Sequence, residues 1–354
     1  MLFRSQVTQN KVVARRMRRF FQQLEPDLDA PSVVAAEYGR HLWDSGTHTL
    51  VDEKKLSRSR FYVGLSIENA GLAEFTKRAA LISDTLLLSH DRNSTFHVLG
   101  SYASTPVVGD LTDAFSSTVT DPFTLRYGMR CPSLHALGRW ILDAEPLLKA
   151  GLAWYLPSYS TIVRDEPGPP RPVGVIDYLI RDGRAIEASG GEPIKSQIVR
   201  PICQMDLPFI DGVDLADFSR ITIEEFNSYS AFRDFLRLSF LNIDDALNDT
   251  QSDRELTKLG LEIKDQLRSV RSEMRIVKGR RAVAASGAVV AGVSATLVAV
   301  YGPALQWIVG VAGGATPGLW GILQARAENN TRPLRENKWH YVWALSKKCD
   351  SNVF

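Results

Sequence analysis

The sequence predicts a helix-rich α+β protein: a mixed N-terminal domain, long C-terminal helices and a hydrophobic helical hairpin. Three observations lead there. Short apolar runs of strand type, such as Phe61 to Ile67, alternate with helical periodicities in the first half. From Asp214 onward apolar residues recur every three or four positions. No charged residue occurs across 282–325, a run of 44 residues between Arg281 and Arg326.

Composition sets the frame. With 354 residues, 44% of them hydrophobic and 23% charged, the chain has length for more than one domain and a sizeable core. These figures exclude a disordered tail, a collagen and a small disulfide scaffold. A net charge of +2 excludes a chain that is basic throughout. The three cysteines, Cys131, Cys203 and Cys349, are odd in number and widely spaced, which points to a reducing compartment. The N-terminus has no apolar core of a secretory signal.

Residues 1–24 carry Arg4, Lys11, Arg15, Arg16, Arg18 and Arg19 and no acid, interleaved with apolar residues at helical spacing. Such a basic amphipathic helix packs its apolar face on the domain, lies on an anionic membrane or contacts nucleic acid. Nothing else along the chain builds a basic face with interleaved aromatics, so nucleic acid is disfavoured as a partner. Ser32 is a candidate N-cap for a helix over 33–43. Residues 46–60 read as a loop, Phe61 to Ile67 as a strand and 70–83 as a helix. Leu86 to Leu88 and Phe96 to Leu99 read as buried strands, and the polar stretch 100–130 as a surface loop. Ser133 starts a helix that Pro146 breaks and Gly151 ends, with a strand at Leu152 to Leu156.

The run Pro167-Gly168-Pro169-Pro170-Arg171-Pro172 marks a linker. Val173 to Ile180 follows as a strand or short helix, and Arg181-Asp182-Gly183-Arg184 as a turn. Pro201 and Pro208 interrupt the apolar stretch 198–210, which predicts an edge strand or extended segment. Phe226, Tyr229, Phe232, Phe240 and Leu247 form an aromatic stripe of core type. Leu256, Leu259, Ile263, Leu267, Val270, Met274 and Val277 form a coiled-coil-like seam within 252–280. Its partner is expected within the chain, with self-association or another protein as the alternative. The organisation is then a mixed domain over 1–165, a Pro-rich linker and extended segment over 166–213, helices over 214–281, the hairpin over 282–325 and an amphipathic tail over 326–354.

A membrane span needs about 20 residues, so 282–325 has length for two, with Tyr301-Gly302-Pro303 at the turn. Arg275, Lys278, Arg280 and Arg281 precede it; Arg326, Arg332, Arg335 and Lys338 follow it. The positive-inside rule puts both flanks, and so both termini, in the cytoplasm. Val289, Val290, Gly292 and Leu297 would face lipid or a packed helix, and Trp307, Trp320, Trp339 and Trp343 would anchor at the interface. The first half is modestly apolar, six valines and one leucine among Ala, Gly, Ser and Thr, so a buried or conditionally inserting hairpin stays open beside a constitutive anchor. The tail around Trp339 and Trp343 would lie at the membrane surface or dock on the soluble part.

Catalytic motifs are scarce. There is no phosphate-binding G-x-x-x-x-G-K-[ST] loop and no G-x-S-x-G elbow. Cys131 and His135 lack a second ligand pair, so no metal and no cofactor is expected. His90, Asp91 and His97 flank a short polar loop after an apolar run and are the weak catalytic candidates. Asp177, Glu187, Glu192 and Lys195 are too loosely spaced for a nuclease set.

Asp206-Leu207-Pro208-Phe209-Ile210-Asp211-Gly212-Val213 through Phe218, with Phe232-Arg233, and the tail from Leu334 to Trp343 resemble uncharacterised bacterial proteins, mostly actinobacterial. These carry a soluble N-terminal region and a C-terminal hydrophobic hairpin. The resemblance implies no activity and no catalytic residues; it implies a bacterial, cytoplasm-facing setting. The leading expectation is an inner-membrane anchored, non-enzymatic protein presenting a cytoplasmic sensing or binding domain, with the lipid membrane as partner. The alternatives are a conditionally inserting, toxin-like effector that is cytoplasmic at first, and a soluble enzyme of unknown reaction.

Overall fold

A computed structural model describes residues 7–25, 30–46, 61–67, 71–90, 94–102, 125–163, 166–168, 176–181, 184–187, 193–243, 254–269 and 337–351. The uncharged run 282–325 lies outside them, and with it Val289, Val290, Gly292, Leu297, Trp307 and Trp320. Among the described residues no helix is long and apolar enough to cross a membrane.

The chain opens with α1 (Lys11–Gln23) and α2 (Pro31–Asp44). Asn10 caps α1: its side chain accepts from the Val12 and Val13 amides. Helix α2 starts two residues before the position expected from Ser32, because Pro31 takes the first helical turn, where its missing N–H costs nothing. Strand β1 (Tyr62–Ile67), α3 (Leu72–Ala80) and β2 (Thr85–His90) form a parallel β-α-β unit. Both strands are buried at every position, so both faces of this sheet are covered, which explains their continuous apolar runs.

Strands β3 (Phe96–Tyr102) and β4 (Leu125–Arg130) then pair antiparallel in a second sheet. Strand β4 sits inside the stretch expected as surface loop. Helices α4 (Leu134–Asp143) and α5 (Glu145–Ala150) follow, capped by Ser133, separated at Pro146 and ended by Gly151 at φ 72°. Strand β5 (Ala153–Tyr155) joins β2 in parallel, while β6 (Ser158–Val163) and β7 (Glu166–Pro167) extend the second sheet.

Val173 to Ile180, expected as a strand or short helix, holds a strand. Strand β8 (Tyr178–Arg181) pairs in parallel with β1, and β9 (Arg184–Glu187) pairs antiparallel with β8. Strand orders are β5-β2-β1-β8-β9 and β3-β4-β6-β7. Asp177, 1% exposed, fastens β8: the Gly64 amide donates to its Oδ2 at 2.7 Å, and the Asp177 amide donates to the Gly64 carbonyl at 2.9 Å. Asp177 is thereby committed to the sheet and is no member of a nuclease set.

The stretch 198–210 is helical rather than extended. Helix α6 (Pro193–Gln204) holds Pro201 inside it and buries Ile198, Val199 and Ile202; α7 (Pro208–Asp211) follows. The burial repeat of three to four residues outweighs the loss of one amide donor. The freed ends are satisfied from α3. Arg78 donates to the Met205 carbonyl at 2.6 Å and pairs with Asp211, and Lys77 donates to the carbonyls of Ile210 and Val213, each at 2.8 Å.

Helices α8 (Leu215–Glu224) and α9 (Phe226–Leu241), α10 over 254–269 and α11 (Lys338–Ser351) complete the helical layer. The aromatic stripe of α9 is core: Tyr229, Phe232, Leu236 and Phe240 are fully buried. Arg233 and Arg237 on the same helix are also buried and reach Asp84, just before β2, at 3.2 and 3.0 Å. One continuous core runs from Val13 to Leu345 and includes Leu256, Leu259 and Ile263 of α10. The described part of the seam therefore packs within the chain; Val270, Met274 and Val277 fall outside the described residues.

Candidate functional site

Parallel α/β sheets bind ligands beyond the carboxyl ends of their strands, near the point where the strand order reverses. Here β1 leads to β2 on one side, and β8 returns on the other side of β1. His90 of β2 and Tyr155 of β5 stand at this carboxyl edge, beside Ile67 of β1 and Arg181 of β8.

His90 ends β2. Its Nδ1 lies 2.9 Å from the Tyr155 hydroxyl, and that hydroxyl donates to the Arg130 carbonyl at 3.4 Å. A hydroxyl carries one proton, so both bonds are made together when His90 Nδ1–H donates to Tyr155. That tautomer leaves the lone pair on Nε2. Tyr155 is fixed from behind by Tyr38 of α2, whose hydroxyl donates to the Tyr155 carbonyl at 2.7 Å and accepts from its amide at 3.1 Å. Trp140 of α4 lies edge-on to the Tyr155 ring.

His97 is on β3, in the other sheet. Its Nε2 lies 3.2 Å from the Cys131 carbonyl, the residue after Arg130. His97 thus reaches the Cys131 carbonyl directly, while His90 reaches the preceding Arg130 carbonyl only through the Tyr155 hydroxyl. Asp91 lies outside the described residues.

Burial keeps the titratable groups of this cluster in their neutral forms. Burial pushes the His90 pKa down to about 4, so the imidazole is neutral at physiological pH and a poor base. Burial pushes the neighbouring Cys131 thiol up to about 12, which denies it thiolate character. Tyr155 is raised well above its ordinary value, again by burial. The cluster is a set of neutral donors and acceptors on rigid elements. Among the described residues no three His, Cys, Asp or Glu side chains converge as a metal would need.

Sequence reasoning missed Tyr38 and Tyr155. Tyr155 ends an apolar run and Tyr38 sits on a helix over a hundred residues away, so only the fold joins them.

The tail takes the second of its two expected placements. Trp339 is 7% exposed and packs edge-on to Phe235 with centroids 5.2 Å apart, near Phe232 at 5.8 Å. Tyr341 bonds Thr222 at 2.9 Å, and the Tyr341 amide donates to Ser228 Oγ at 2.8 Å. Trp339 is therefore a core residue of the helical layer and is not available as a lipid anchor. Trp343 is half-buried, its ring tilted 42° to that of His340 with centroids 5.3 Å apart. Between α7, α10 and α11 lies a cavity of about 200 Å³, lined by Phe209, Ile263, Leu267, Ser346 and Cys349.

Comparison with protein families, with curated proteins and with solved structures returns no match to this chain.

Proposed function

We propose that the chain is a membrane-anchored binding protein whose α+β domain stands at the cytoplasmic face, held by a two-span hairpin over 282–325. The observation that carries this reading is the position of the two helices that bracket the uncharged run. Helix α10 before it and α11 after it both pack into the same helical layer and border the same cavity. A single crossing would put α11 on the far side of the bilayer from its partners α8 and α9. An even number of crossings returns the chain to them, and 44 uncharged residues have length for two. The basic flanks favour the cytoplasm for that side. Neutral groups at the carboxyl edge of the parallel sheet, with His90 and Tyr155 at their centre, support a ligand-binding role and offer no nucleophile–base pair.

The test is carbonate extraction of membranes carrying the full-length protein, beside the variant Val290→Asp/Leu297→Asp. A charge at the centre of a span costs about 2.5–3.5 kcal/mol, enough for two to defeat a modestly apolar helix. The reading expects full-length protein to stay in the pellet and the variant to be released. Extraction of the unmodified protein by carbonate would end the anchor reading. Leakage of dye-filled liposomes only after acid or proteolytic activation would favour conditional insertion instead.

A further inference from the structure

Helix α1 divides cleanly into two faces. At about 100° per residue, Val13, Ala14, Met17 and Phe20 fall on one arc and are all buried. Lys11, Val12, Arg15, Arg19, Gln22 and Gln23 fall on the opposite arc and are all exposed. Lys11, Arg15 and Arg19 stand one turn apart along this arc. Their side chains make no hydrogen bond or ion pair with any described residue. Helix α1 carries no acid, and Glu145 on the neighbouring α5 is already paired with Lys149. Val12, 46% exposed, sits among the cations as an apolar side chain facing outward. Arg18 differs from the others: it turns inward and donates to the carbonyls of Lys149 and Val7 at 2.8 and 3.0 Å, which fixes the helix on the domain.

From this we infer that the outer face of α1 is a docking surface for anionic lipid headgroups. Three cations in a row, without an ion pair among the described residues, complement a negatively charged leaflet, and Val12 is placed to enter the interface among them. Nucleic acid is the poorer occupant, because the exposed arc carries no aromatic side chain for a base to stack on. The inference rests on the proposed cytoplasmic membrane setting but concerns a different contact from the hairpin. Each basic residue near an anionic leaflet strengthens partitioning about fivefold, so three together are worth on the order of a hundredfold.

The test reads α1 directly. Full-length protein is mixed with vesicles of phosphatidylcholine alone, or of phosphatidylcholine with phosphatidylserine. Labelling of the Lys11 amine by an acylating reagent is then followed by mass spectrometry. The expected result is severalfold slower labelling with phosphatidylserine present, lost in high salt and absent in Arg15→Gln/Arg19→Gln. Both substituted side chains are exposed and make no ion pair among the described residues, so that variant keeps the fold. Equal labelling with the two vesicle types overturns the inference, whether or not the protein sediments with them. Protection by duplex DNA or RNA but not by phosphatidylserine overturns it in favour of nucleic acid. Carbonate-resistant sedimentation with phosphatidylcholine alone reports the hairpin, so the two readings fail separately.

Discussion

Gly138 is the position where a single methyl group should do most damage. It lies on α4 where α2 crosses, and a Cβ there would stand 1.7 Å from the Pro31 carbonyl oxygen, against the 3.0 Å that real Cβ atoms keep. The obstacle is backbone, so no side chain can rotate away; α2 must retreat by about 1.3 Å. Retreat pulls Tyr38 from the 2.7 Å and 3.1 Å bonds that fix Tyr155. Overpacking costs about 1–3 kcal/mol, and a buried hydroxyl left unpaired costs about 1–3 kcal/mol. The better helix propensity of alanine returns only about 1 kcal/mol. Gly138→Ala should therefore lose roughly 1–5 kcal/mol, which at about 2–4 °C per kcal/mol lowers Tm by about 2 °C or more. Thermal melts followed by circular dichroism check this, with Gly260→Ala as control. There the nearest atom to the new methyl is Met205 Cε at 3.9 Å, and propensity alone should raise stability by up to about 1 kcal/mol. If Gly138→Ala melts at or above the unmodified protein, the close crossing of α2 and α4 is wrong.

His90 should make the fold acid-sensitive. Its pKa in the folded state, about 4, lies below the ordinary 6.5, so the unfolded chain binds the extra proton between those values. Stability attached to His90 is fully present above about pH 6.5 and falls towards pH 4, by about 3 kcal/mol over the window. Urea midpoints measured across this range should fall more steeply for the unmodified protein than for His90→Gln; parallel slopes would remove His90 as the cause. Trp339→Ala should free α11 at a cost of about 3–5 kcal/mol, seen as faster proteolytic loss of the tail, while a tail as resistant as before would contradict its burial. Lys77→Met strands the carbonyls of Ile210 and Val213 and should cost roughly 1–3 kcal/mol in chemical denaturation.

Local chemistry was readable where it decides the structure by itself. The Ser133 cap, the break at Pro146, the stop at Gly151 and the buried strands β1 and β2 follow from residue types within a few positions. The departures have physical reasons. The stretch 198–210 looked extended because prolines weigh against helix, yet α6 keeps its helix around Pro201 because its apolar side chains are buried and α3 supplies cations to its orphaned carbonyls. The strand within Val173 to Ile180 is legible as an apolar run, but its pairing with β1, more than a hundred residues away, leaves no local signal. The candidate site divides the same way. His90 and His97 stood out as polar residues beside apolar runs, but the Tyr38–Tyr155–His90 chain exists only after α2, β5 and β2 have assembled.

The bracketing of 282–325 by α10 and α11 also fixes an order of events during synthesis. Helix α11 supplies Trp339, Tyr341, Val342 and Leu345 to the core beside α8 and α9, yet it is translated after every described element it packs against. Between the end of α10 and the start of α11 the ribosome adds residues 270–337. At about 5–20 residues per second this takes several seconds. Throughout that interval the uncharged run has emerged or is emerging, while the groove that will receive α11 stands open. Any factor that captures apolar nascent chain meets the run first, before the domain is complete. Closure of the helical layer by α11 then waits on synthesis of all of 270–337, so the layer is completed only after the apolar run has been made.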